Sequence, residues 1–85
     1  MPEISRFFGI VIRMFYVDHV RPYFHAQYGE HSLALEIAGD GVTGGFPPHR
    51  LPLLYEWRDL HRDELLENWN RLRDGEAPRP IPPLD

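Results

Sequence analysis

The sequence predicts an α+β fold: a three- to four-stranded antiparallel meander in the N-terminal half, packed on one face by one or two C-terminal helices, then an extended Pro-rich tail. Three features carry that expectation. Residues 32–37 alternate apolar and polar side chains, the period of a half-buried strand. Between Leu54 and Leu72 apolar and aromatic residues recur at three- and four-residue steps, the period of one helix face. Gly and Pro clusters separate these runs as turns do.

Residues 8–16 read as the first strand, because aromatic and β-branched side chains fit a pleated surface. The connection through Asp18 to Pro22 follows, since a residue before Pro avoids the helical region. Residues 23–28 form the next strand, and Tyr28-Gly29-Glu30 marks a tight hairpin leading into residues 32–37. Gly39 and Gly41 read as the positive-φ residues of another hairpin, with a short fourth strand at Val42 and Thr43 ended by Gly44 and Gly45.

Pro47, Pro48 and Pro52 stand where a helix begins, a position that tolerates Pro. The stripe Leu54, Trp57, His61, Leu65, Trp69 and Leu72 is then one apolar face, served by one helix or two. A break near His61 is expected, because Asp63 and Glu64 supply the acids a new N-terminus favours. Arg71, Arg73 and Gly75 form the stop signal. Residues 1–75 are expected to form a single domain. Residues 76–85 form the Pro-rich tail, expected to dock through Ile81 and Leu84.

Strand period places Ile10, Ile12, Met14, Phe24, Ala26, Leu33, Leu35 and Ile37 against Leu54, Trp57, Leu65, Trp69 and Leu72. Arg13, Tyr23, His25, Gln27 and Glu36 collect on the opposite, bare face.

Composition excludes several classes. The 85-residue chain has no cysteine, which removes disulfides, thiolate zinc sites and cysteine nucleophiles and points to the cytoplasm. Its start carries Glu3, Arg6 and Arg13 within the apolar run, unlike a secretory leader, and no stretch approaches a membrane span. A net charge of −4 weighs against nucleic-acid binding by the chain on its own, DNA-binding repression included. No Gly-rich phosphate loop and no nucleophile elbow is present.

His19, His25 and His31 are the nearest approach to a metal motif. Two of them fall in turns at opposite ends of a strand about 20 Å long, so they do not share one ion. No metal and no cofactor is expected. The catalytic candidates are His25, Arg13 and Glu36, from neighbouring strands on the bare face: a His between a carboxylate and an Arg suits general-base work. The plainer reading of the same residues is a solvated face with cross-strand pairs. Tyr23 and Gln27, with His19 and Arg21 beside them, are the expected partner-binding residues. His61 reads as a structural residue donating to a backbone carbonyl. The acids from Asp59 to Glu67 read as a solvated helix face paired to Arg58, Arg62 and Arg71.

The residues Asp18-His19, Pro22, Phe24-His25-Ala26, Tyr28-Gly29, Glu56-Trp57, His61, Asp63-Glu64-Leu65, Asn68-Trp69, Gly75-Glu76, Ile81 and Pro83-Leu84, together with the stretch before Tyr16, resemble a small bacterial family, domain of unknown function 4160. The resemblance implies an α+β fold without an established activity. It also implies a gene neighbourhood of the toxin–antitoxin type, in which the chain pairs with a nearby product. Where that family usually reads Pro-Pro-His-Phe-His-Ala, this chain has Arg21-Pro22-Tyr23-Phe24-His25-Ala26, and Tyr23 removes one imidazole. Two functions follow. One is a small protein-interaction domain acting in a toxin–antitoxin-like or regulatory pair, with a partner encoded nearby or with itself. The alternative is a small hydrolase or RNA-cleaving toxin built on His25, Arg13 and Glu36.

Overall fold

The computed structural model describes residues 2–85. Five strands form one antiparallel meander in chain order: β1 (Glu3–Phe7), β2 (Ile10–Arg13), β3 (Tyr23–Tyr28), β4 (His31–Glu36) and β5 (Val42–Gly44). Two helices follow, α1 (Leu51–Leu60) and α2 (Arg62–Arg73). The α+β class and the antiparallel meander backed by helices stand as expected, with more strands than the three or four anticipated.

The additional strand is β1, which lies before the stretch read as one strand over residues 8–16; that stretch opens with a turn instead. Phe8 (φ 48°) and Gly9 (φ 80°) both lie in the left-handed region, the geometry of a two-residue hairpin turn. That turn folds β1 back on β2, pairing Phe7 with Ile10 and Arg6 with Val11. The usual Asn-Gly signal is absent because Phe8 takes the first position.

The β3–β4 hairpin forms through Gly29 (φ 58°) and Glu30. In the β4–β5 turn the expectation fails on conformation: neither Gly39 nor Gly41 has a positive φ. A Cβ there would instead run into the Glu36 carboxylate, within 2.6 Å of Oε1 at Gly39 and overlapping Oε2 at Gly41. These glycines supply space rather than backbone freedom.

The core lies between the sheet and the helices. Ile10, Ile12, Met14, Phe24, Ala26, Leu33, Leu35 and Ile37 are buried against Leu54, Trp57, Leu65 and Trp69. Ile4 and Phe7 of β1 join them, and Leu72 lies only partly buried at the margin. Trp57 is fully enclosed, 5.3 Å from Phe7 and 5.7 Å from Phe24 between ring centres.

His61 separates the helices, ending α1 and preceding α2, with Asp63 and Glu64 in the new first turn. Its Nδ1 lies 2.6 Å from Glu64 Oε1, so the ring's partner is a carboxylate rather than the expected backbone carbonyl. Gly75 (φ 80°) closes α2, with Glu76 N–H donating to Arg71 O (2.8 Å) and Gly75 N–H to Leu72 O (3.1 Å).

Two arginines read as exposed ion-pair partners have a different role. Arg58 is 5% exposed, and its Nη1 donates to Glu36 O (3.2 Å) and Gly39 O (3.0 Å). Arg62 Nε donates to Ile37 O (2.9 Å). The helix break thus places two guanidinium groups on the β4–β5 turn, satisfying carbonyls that no strand reaches. Both also touch Asp59. Arg71 turns away from the acidic run, toward Glu76 and the carbonyl of Ala77.

Residues 76–85 lie along α2 and β1. Asn68, 1% exposed, donates to Arg79 O (2.8 Å) and accepts from Arg79 N–H (2.7 Å), as a neighbouring strand would. Ile81 N–H donates to Ile4 O (2.8 Å), and Trp57 Nε1 to Pro82 O (3.0 Å). Ile81 and Leu84 are buried. Arg71, Asn68 and Trp57 thus all hold the tail by its main-chain carbonyls. The Pro-rich sequence suits this, because its extended backbone leaves those carbonyls free.

Candidate functional site

The face of the sheet turned away from the helices carries the expected cluster in a looser form. Register sets Arg13 opposite His25, His25 opposite Ala34, and Ala34 opposite Thr43, so these four cross the sheet in one row. Glu36 sits opposite Tyr23, one pleat further along. His25 and Glu36 are therefore diagonal neighbours, a spacing that only long side chains bridge.

The polar groups take separate partners. Arg13 Nη1 donates to Gln27 Oε1 (2.8 Å). Glu36 Oε1 lies 3.6 Å from Arg21 Nη1. Among the described residues no hydrogen bond joins His25 to Arg13 or Glu36. Instead its ring stacks on Phe15, 5.0 Å between centres and 18° between planes, and meets Tyr23 edge-on at 5.3 Å. Its Nε2 is buried without a partner, and burial pushes the imidazole below its ordinary value.

Tyr23 begins β3 on the same side as His25, yet its ring also lies 5.5 Å from Trp69 of α2. Tyr16 approaches the same indole at 5.0 Å. An aromatic corner therefore closes this end of the molecule, and Tyr23 is only half free for a partner. Gln27 is exposed and held by Arg13. His19 (φ 63°) projects into solvent from the β2–β3 connection beside Asp18, at 3.4 Å. Arg21, in the same connection, is also largely in solvent.

A trough of about 510 Å³ runs between that connection and β5, over His25, Ala34 and Glu36. Its rim includes Val20 and Val42, both exposed although apolar (46% and 42%). Sequence reasoning missed Phe15, Val20, Val42 and Thr43. Phe15 was within reach, since Val11, Arg13 and Phe15 continue one strand face beyond the end of β2. The valines carry no local signal, because exposure depends on what the helices leave uncovered. No group of His, Asp or Glu able to hold a metal occurs among the described residues.

The two sheet edges are unlike. Beside β1 stands the tail, bound through Ile81. Beyond β5 no described strand pairs. Glu36 N–H donates to Gly41 O (2.9 Å) and Gly45 N–H to Ser32 O (3.1 Å). Hydrogen-bonded pairs alternate along an antiparallel ladder, so Thr43 points its backbone groups inward to Ala34. Val42 and Gly44 point theirs outward, beside the trough.

Fold and face together define a small α+β domain: a meander backed by a broken helix, with one edge sealed and one edge open. The family model for a domain of unknown function (DUF4160) matches residues 9–70, and the chain belongs to that family. No curated protein and no solved structure matches it. No helix among the described residues is long and apolar enough to cross a membrane.

Proposed function

We propose that this chain is a small protein-interaction domain, one member of a toxin–antitoxin-like or regulatory pair in the cytoplasm, and that its partner adds an extended segment to the β5 edge. The open edge carries this reading: outward main-chain groups at Val42 and Gly44 stand beside a concave, apolar-rimmed trough. An unpaired edge is a template for another strand, and side-chain pockets beside it supply selectivity. The lack of cysteine suits a reducing compartment.

The test is size-exclusion chromatography with light scattering, on the chain alone and co-expressed with the product of the neighbouring gene. A heteromeric complex is expected. Val42→Pro removes one outward N–H and no bond to β4, so it is expected to keep the fold and lose the complex. A strict monomer that ignores the neighbour sinks the reading. A homodimer makes a second copy the partner.

The hydrolytic alternative has one observation behind it, a neutral imidazole at His25 that suits a base. Against it, Phe15 covers the ring and neither Arg13 nor Glu36 reaches it. Ribonuclease activity lost in His25→Ala, with the fold intact, would restore it.

A further inference from the structure

We infer that the trough beside β5 reads a basic side chain: the segment laid on this edge carries an arginine or lysine that pairs with Glu36. The inference rests on the interaction reading of the same edge and names what the partner must bring to it.

Glu36 ends β4, and its side chain lies back across the β4–β5 turn, on the Cα atoms of Gly39 and Gly41. Neither glycine is needed for backbone conformation, as neither has a positive φ. What both lack is the Cβ that would strike the carboxylate. The turn is therefore shaped around this carboxylate, and Arg58 fixes it from below through the carbonyls of Glu36 and Gly39.

The carboxylate so placed is underused. Its side chain is 22% exposed, and it accepts no hydrogen bond from any described residue. Arg21 Nη1 stands 3.6 Å away, beyond hydrogen-bond range, on a side chain 84% exposed. An ionised carboxylate offers about four acceptor positions, and here no protein donor fills them, so water holds them until a partner's donor arrives. The trough in front of it is lined by Arg21, Tyr23 and Thr43 as well as by Val20 and Val42, and none of these donates a hydrogen bond to it. The chain's net charge of −4 draws a basic partner rather than an acidic one. Arg21 then acts as a loosely held stand-in for the incoming cation. A guanidinium from the partner, excluded from water by the two valines, makes the paired contact that Arg21 does not.

The experiment titrates the isotope-labelled full chain, followed by amide NMR, with three peptides about six residues long, a usual strand length. Each alternates threonine and valine around a central arginine, citrulline or glutamate. The arginine peptide is expected to shift the amides of Val42 and Gly44 and to bind about tenfold tighter than the citrulline peptide, the effect of one charge-assisted hydrogen bond. Glu36→Gln should erase that difference. Arg21→Ala, at an exposed position, should tighten the arginine peptide about threefold by removing the competitor. Equal binding of the arginine and citrulline peptides at β5 overturns the inference and leaves the open-edge reading standing. Preference for the glutamate peptide, weakened by Arg21→Ala, overturns it in favour of Arg21 as the reader. Absence of any shift at Val42 and Gly44 with all three peptides removes the edge reading itself.

Discussion

His25 shows how a polar side chain on a sheet face becomes structural. Stacked on Phe15, edge-on to Tyr23 and lacking a partner for Nε2, it is held neutral by burial, below its ordinary value of 6.5. The unfolded chain takes up a proton near about 6.5, whereas the folded chain resists until lower pH. Stability linked to this ring is thus fully present above about 6.5 and falls as the pH drops through that value toward the folded one. Phenylalanine keeps the stack on Phe15 and does not titrate. Urea unfolding between about pH 7 and pH 5 should therefore show a steeper loss for the native chain than for His25→Phe. Parallel curves would mean that His25 does not couple protonation to folding.

At the scale of elements, β5 is the least anchored part of the sheet. It is three residues long, exposed along its length, and depends on β4 and on the two arginines that hold the preceding turn. Its glycines divide by mechanism. Gly44 has φ 100°, and a Cβ there would run into the backbone carbonyl of Ser32. Gly41 would meet only the end of the flexible Glu36 side chain. Gly44→Ala is expected to cost about 2 kcal/mol and to expose the β5 amides to hydrogen exchange. Gly41→Ala should cost under about 1 kcal/mol, swinging Glu36 out while leaving the ladder intact. Denaturant midpoints and amide exchange of the two variants test this, and the reverse ranking would contradict it. The same contrast explains what was legible locally. A glycine in a turn announces a turn, but only the neighbour across it tells whether the glycine serves φ or space.

For the whole molecule, the tail closes what the meander leaves open. Asn68 imitates a strand partner for Arg79, Ile81 bonds β1, and Leu84 completes the apolar layer. Removing residues 77–85 takes away two buried aliphatic side chains, Ile81 and Leu84, and uncovers the β1 edge. The expected cost is roughly 3–5 kcal/mol, with concentration-dependent association of the exposed strand. Urea unfolding and light scattering read both effects. An unchanged midpoint in a monomeric truncated chain would mean the docked tail contributes nothing to stability.

By itself the sequence determined the strands with period-two alternation, the helical stripe, the helix break at His61, the stop at Gly75 and the side of the sheet that is apolar. Each is written in neighbouring residues, because strand and helix periods are local. Tertiary structure alone decided the Phe8-Gly9 turn that makes a separate β1, since a phenylalanine there carries no turn signal. It also decided that Arg58 and Asn68 are buried and bonded to backbone far along the chain, and that Phe15 covers His25. A polar residue on a helix or strand has the same local pattern whether water or a distant carbonyl receives its hydrogen bonds. Only the packing of one segment on another distinguishes the two.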